Sequence, residues 1–179
     1  MPLVFPLRSA FLALPLSGEA KRRFAEIVES LEPYNDLMRF QHLHSPHLTL
    51  QFWPELMEIE YQDVLDQSQV IADATHPFEV TVTGADTFHD KVLFFKIEPS
   101  ADLEGVRKRC PWQSDHPFSP HITIARIKHP DRFLAERENI LKMLKDVRFV
   151  IRFDRLRLYA EVDRIKQTPI EEFEFGKHR

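Results

Sequence analysis

Two short segments of this chain repeat one order of residue types: Pro46-His47-Leu48-Thr49-Leu50 and Pro120-His121-Ile122-Thr123-Ile124. His and Thr two apart, with aliphatic residues between and after them, is the pattern of a half-buried β-strand, whose side chains alternate faces. His47 and Thr49 then share one face and Leu48 and Leu50 the other. The same holds for His121 and Thr123 against Ile122 and Ile124. Each strand buries its aliphatic face and offers an imidazole and a hydroxyl about 6.8 Å apart along the chain. Imidazole titrates near neutrality. Of two that face each other across a cleft, one accepts a proton from water while the other donates one to a leaving alkoxide. The Thr hydroxyls donate hydrogen bonds to non-bridging phosphate oxygens, where charge gathers as a pentacoordinate transition state forms. The chemistry this set suits is opening of a phosphodiester with no metal and no cofactor. A single His-x-Thr is common in half-buried strands. Weight comes from its recurrence, each time after Pro and with aliphatic spacers.

Each strand needs a scaffold, and the hydrophobic patterning supplies one twice. Phe11-Leu12-Ala13-Leu14 reads as a buried first strand. Ser17 stands where it can cap a helix through Phe24, Ile27, Val28 and Leu31, at i, i+3, i+4, i+7 spacing, which Pro33 ends. Strands follow over 37–41 and 46–53 with a turn between, then a helix over 55–74. In the second half, 78–83 alternates with period two and 92–97 is a nearly continuous apolar run. A short helix is expected over 101–109, the second motif strand over 120–127, a helix over 131–145, one or two strands over 147–162, and a short last strand over 170–175. Strand, helix, loop and a strand carrying His-x-Thr thus occur in the same order in both halves. No low-complexity linker divides them. The expectation is one two-lobed α+β domain over residues 1–179, a duplicated unit with a groove between its copies.

Bulk composition narrows the function classes. With 43% hydrophobic and 29% charged residues, the chain is an ordinary globular protein rather than a disordered one. A formal net charge of −4 argues against a non-specific binder of long nucleic acid. It leaves room for a small phosphorylated substrate, whose pocket needs only a few local cations. One cysteine, Cys110, allows no internal disulfide, which fits a cytoplasmic protein. Arg107, Lys108 and Arg109 precede it and are of the kind that lowers a thiol pKa, but the preferred reading is an incidental thiol near a helix end. No run of 18 apolar residues is present, so no membrane span is expected. Residues 1–20 read as a first strand rather than an export signal, because the apolar run is short and Pro15 breaks it.

Other candidates carry less. His42 and His44 lie close to His47, but no Cys, Asp or Glu joins them before Glu55, so a metal site is not expected. Phe52, Trp53, Trp112 and Phe118 are of the type that stacks on a nucleobase, and Phe118 is the preferred one. Arg148, Arg152, Arg155 and Arg157 alternate irregularly with apolar residues and read as a solvated strand face.

With both motifs in view, the chain resembles the two-histidine (2H) phosphoesterases, and within them the bacterial and archaeal RNA 2′,3′-cyclic phosphodiesterases, also called 2′-5′ RNA ligases. The likeness runs from Phe11-Leu12-Ala13-Leu14 through both motifs to Leu158-Tyr159 and Phe173-Glu174-Phe175. It implies a bilobal fold of two antiparallel sheets with outer helices and a central groove. It also implies metal-free opening of a 2′,3′-cyclic phosphate at an RNA end to a 2′-phosphate, with reversible 2′-5′ ligation as a companion activity. His47 and His121 become the catalytic pair, with His121 as base toward water and His47 as acid toward the 3′-oxygen. Thr49, Thr123, Arg126 and Phe118 become the substrate-binding residues. Strict alternation turns Arg126 away from the cleft, so a twist, a bulge or a long reach must bring it back. The family commonly has Phe-Leu-Gly after the first motif, where this chain has Phe52-Trp53-Pro54. Expected partners are RNA ends or small cyclic nucleotides, with no membrane and a monomeric state. The alternative substrates are other small cyclic phosphates, nucleotide- or ADP-ribose-derived. The alternative role is a non-catalytic module that binds phosphate ends.

Overall fold

The computed structural model describes residues 2–176. In chain order the elements are β1 (Leu7–Pro15), α1 (Gly18–Ser30), a 3-10 turn (Glu32–Tyr34), β2 (Met38–Phe40), β3 (His47–Leu56), α2 (Glu58–Asp73), β4 (Phe78–Phe88), β5 (Val92–Ile97), α3 (Ala101–Arg109), β6 (His121–Ile127), α4 (Pro130–Leu144), β7 (Arg148–Phe153), β8 (Arg155–Val162) and β9 (Ile165–Glu174). The fold is α+β, as the patterning implies. Ser17 does occupy the N-cap of α1, but its side chain makes no capping hydrogen bond. Ser100 caps α3 instead, its hydroxyl accepting from the Leu103 amide at 3.1 Å.

The strands pair antiparallel in the order β7-β4-β5-β6-β3-β1-β8-β9, with β2 beside β6. The two expected sheets are therefore the two halves of one strongly curled sheet, β3-β1-β8-β9 and β6-β5-β4-β7. They join at a single bridged pair, Leu48 opposite Ile122. Beyond that pair β3 diverges, and β2 takes its place along β6, from Met38 opposite Ile127 to Phe40 opposite Ala125. The divergence opens the groove. Leu48 and Ile122 hold the same position in the two motifs, so an antiparallel pair between them makes a local two-fold axis of the junction.

Helices cover the face away from the groove. Phe24 of α1 meets Phe95 of β5 edge-on at 6.0 Å between ring centroids. Leu48, Ile122, Ile124 and Leu158 are fully buried there. Truncating Leu48 or Ile122 to Ala leaves a cavity at the lobe junction, a loss of about 2–5 kcal/mol. The aliphatic half of each motif is thus what fixes the polar half in space.

Candidate active site

The two motif strands share an irregularity. Along β1, Leu12 pairs with Gln51 and Ala13 with Thr49, so Leu50 is passed over. Along β5, Leu93 pairs with Ala125 and Phe94 with Thr123, so Ile124 is passed over. Each is a β-bulge three residues after the histidine, and one extra residue reverses the parity of all that follow. The burial patterns agree residue by residue: half-buried His, buried aliphatic, half-buried Thr, two buried residues, then an exposed one. The exposed residue is Phe52 on β3 and Arg126 on β6. Both line the groove. The bulge is what returns Arg126 to the cleft side.

The imidazoles are held alike. Nδ1 of His47 stands 2.7 Å from the Ser45 carbonyl oxygen, and Nδ1 of His121 stands 2.8 Å from that of Ser119. A carbonyl only accepts, so each Nδ1 carries the proton and each Nε2 is left free for the groove. Two aromatic rings flank each imidazole. Phe11 lies 4.6 Å and Tyr159 5.7 Å from His47, between ring centroids. Phe88 lies 4.9 Å and Phe94 5.6 Å from His121. Burial pushes His47 from the usual 6.5 down to about 4; the Ser45 carbonyl opposes this, and the charge of His121 adds to it. His121 is also lowered by burial, against the pull of the Ser119 carbonyl and with the help of Arg126.

The His47 side has a brace with no counterpart on the His121 side among the described residues. Gln41 donates from Nε2 to the Ser45 carbonyl at 3.1 Å and to Oε1 of Gln167 at 2.5 Å. Gln167 returns a bond from Nε2 to Oε1 of Gln41 at 3.2 Å, and the Ser45 hydroxyl donates to Gln167 at 2.6 Å. Gln167 reaches this position from a bulge in β9, with left-handed backbone at φ 57°.

The groove between the motifs has a volume of about 530 Å³ and is lined by His47, Thr49, His121, Thr123 and Arg126 together with Phe11, Phe52, Arg39 and Lys166. Five of the six sequence-assigned site residues thus meet on one cleft. Phe118 does not line it: its ring packs under the Arg107 guanidinium, 5.6 Å from the carbon, and against the core. Nearness in sequence to the second motif favours this ring, but the loop turns it elsewhere. Trp53 and Trp112 pack on each other edge-on at 5.1 Å, also outside the groove lining. His42 lines the groove and His44 does not. Among the described residues no three His, Cys, Asp or Glu side chains gather as a metal site. Cys110 is buried, and burial pushes its thiol up against the pull of Arg107, in keeping with an incidental thiol rather than an activated one.

Sequence reasoning missed Ser45 and Ser119, although extending the repeat back one residue to Ser-Pro-His in both copies was enough to flag them. It also missed Gln41, Gln167, Arg39 and Lys166, which no periodicity marks.

A model of the 2′-5′ RNA ligase superfamily matches residues 16–164, so the chain belongs to that superfamily of two-histidine phosphoesterases. A protein of Halalkalibacterium halodurans, provisionally named a phosphoesterase, is 32% identical over 139 residues, covering 74% of this chain and 80% of its own. A protein of Oceanobacillus iheyensis with the same provisional name is 29% identical over 141 residues, covering 74% and 81%. Among solved structures, TT0787 of Thermus thermophilus is 25% identical with a TM-score of 0.71, covering 95% of this chain and 100% of its own. E. coli LigT in apo form is 18% identical with a TM-score of 0.72, covering 96% and 99%. LigT has also been solved in complex with 3′-AMP. Of the described residues, no helix is long and apolar enough to cross a membrane.

Proposed function

We propose, from the premise that this chain belongs to the 2′-5′ RNA ligase superfamily, that it opens RNA 2′,3′-cyclic phosphate ends to 2′-phosphates by two-imidazole acid–base catalysis without a metal. The observation that carries the reading is the pseudo-two-fold pairing of His47 and Thr49 with His121 and Thr123 on one groove. Each Nε2 is free, and each Nδ1 proton is spent on a carbonyl. In-line attack needs a base on one side of phosphorus and an acid on the other, which two strands related by a two-fold supply. Thr49 and Thr123 donate hydrogen bonds to the non-bridging oxygens as their charge grows. Arg126 binds phosphate.

Burial depresses both imidazoles, so the acid's proton must arrive with the anion. Arg126 opposes protonation of His121. The cation acting on His47 is His121 itself. In this reading the bound phosphate supports a proton on one imidazole; the resemblance assigns His47 as the acid toward the 3′-oxygen and His121 as the base that takes a proton from water. Ligation in reverse exchanges these roles. Phe52, exposed on the groove, is the base-stacking ring in place of Phe118. The complex of LigT with 3′-AMP is in keeping with a nucleotide as the ligand of this fold.

The test is a panel of cyclic phosphates under EDTA: a cyclic-phosphate-ended oligoribonucleotide, nucleoside 2′,3′-cyclic phosphates and an ADP-ribose-derived cyclic phosphate. The oligonucleotide is expected to have the highest kcat/KM. Turnover of the small cyclic phosphates with none of the oligonucleotide overturns the RNA-end reading.

A further inference from the structure

Gln41 bonds both motif segments. Its backbone amide donates to the Ile124 carbonyl at 2.9 Å, the residue at the bulge of β6. Its side-chain amide donates to the Ser45 carbonyl at 3.1 Å, and the same oxygen holds Nδ1 of His47 at 2.7 Å. A carbonyl oxygen only accepts, so the nitrogen end of the amide must face it, and Oε1 of Gln41 turns to Nε2 of Gln167. Gln167 closes the ring with its own Oε1, which accepts from Gln41 and from the Ser45 hydroxyl. Gln41 follows β2, which pairs with β6, whereas Gln167 comes from β9, the edge strand of the other half of the sheet. The amide pair thus ties one half of the sheet to the other along the groove that both residues line.

Sharing one oxygen has a consequence for the imidazole. The Ser45 carbonyl favours a proton on His47, against the effect of burial. A carbonyl that already accepts one bond supports a second donor less, and the positive end of the Gln41 amide repels charge gained by the ring beside it. Gln41 therefore takes away part of the support that Ser45 gives. On the other lobe the Ser119 carbonyl holds His121 with no second side-chain donor among the described residues.

Resting on the two-imidazole reading above, we infer that Gln41, oriented by Gln167, is a positioning residue that makes the two like imidazoles unlike, by fixing the Ser45 carbonyl and weakening its hold on an imidazolium at His47. It acts through Ser45 rather than on the reacting atoms. In the empty groove it helps to keep His47 neutral, so that the proton His47 donates comes with the bound phosphate. The charged and titratable groups that share the groove with His47 are His121 and Arg126 of β6, Arg39 of β2, His42 and Lys166. Tyr159 of β8, bonded by Arg157, lies against the ring. All of these stay in place in the variants below.

The test is a ¹H–¹⁵N NMR titration of the histidine rings in wild type, Gln41→Met and Gln167→Met. Methionine keeps the length and bulk of glutamine without a donor, so the ring stays covered. In Gln41→Met the titration midpoint of His47 is expected to rise by about 0.5–1 pH unit, the worth of one neutral hydrogen bond. That of His121 should stay where it is. Gln167→Met, which only frees the Gln41 amide to turn, should give a smaller rise at His47 alone. In the pH profile of kcat/KM for a cyclic phosphate, the limb that belongs to His47 should move by the same amount as the ring. A His47 midpoint that is unchanged or lower in Gln41→Met overturns the inference, as does an equal movement of both rings. The titration needs no turnover: if no cyclic phosphate is hydrolysed the catalytic reading fails, and the ring midpoints still decide the role of Gln41.

Discussion

The lobe of His47 and the lobe of His121 are built on one skeleton and furnished differently. Both present Ser-Pro-His-x-Thr on a strand bulged at the same place, both fix Nδ1 on a serine carbonyl, and both flank the imidazole with two rings. After the bulge one lobe shows Phe52 and the other Arg126. Gln41 and Gln167 brace Ser45, and among the described residues no side chain besides His121 itself bonds the Ser119 carbonyl. In the proposed reaction this symmetric scaffold sets two like groups on either side of one phosphorus, and the departures from symmetry distinguish the acid from the base and the cation from the stacking ring.

The largest effect is expected where the lobes are alike. His47→Ala and His121→Ala should each lower kcat about 10²–10⁴-fold, and the double variant should be little worse than either, because acid and base act as a unit. A single variant with wild-type turnover removes one lobe from the chemistry. Next come the positions where the lobes differ. Arg126→Ala should lower kcat/KM about 10–100-fold, with a shallower salt dependence. Phe52→Ala should raise KM about tenfold for oligonucleotides through lost stacking, with a salt slope like that of the wild type. Equal salt responses in the two variants contradict the assigned split between cation and ring.

The brace comes third. Gln167→Ala should lower kcat a few-fold and broaden or shift the His47 ring ¹⁵N resonances while leaving those of His121 in place. Equal changes at both rings indicate a general loss of structure instead. The smallest effect is on stability. His47 titrates near 4 in the folded protein against 6.5 as its ordinary value, so below 6.5 the unfolded chain binds the proton more readily than the folded one. Stability is therefore full above about 6.5 and is lost as pH falls toward 4, by about 2 kcal/mol between pH 7 and pH 5 for this group. His121 acts in the same direction. Urea denaturation of His47→Gln at both pH values should show a smaller loss than wild type; an equal loss places the titration elsewhere.

Much of this was legible in the sequence, because period-two alternation with aliphatic burial fixes which face His47, Thr49, His121 and Thr123 share. The bulges were not, since nothing in Leu50 or Ile124 marks a skipped pairing, and so the orientation of Phe52 and Arg126 could not be read. The start of β9 escaped as well. Ile165-Lys166-Gln167-Thr168-Pro169 has no apolar alternation and contains a proline that only an edge strand tolerates. Its turn uses Asp163-Arg164, both left-handed, where Asn-Gly is the usual signal. Lys166 and Gln167 enter the groove from that unmarked segment. Phe118 misled for the opposite reason: a conspicuous ring close to the motif in sequence is held by Arg107 instead.

The most direct measurement is ³¹P NMR of an oligoribonucleotide 2′,3′-cyclic phosphate incubated with EDTA-treated enzyme, with His47→Ala alongside. The expected result is full wild-type conversion to a single 2′-phosphomonoester resonance, with the variant leaving the cyclic phosphate intact. A 3′-phosphate product contradicts the direction of opening. No turnover until a divalent ion is restored contradicts the two-imidazole chemistry itself.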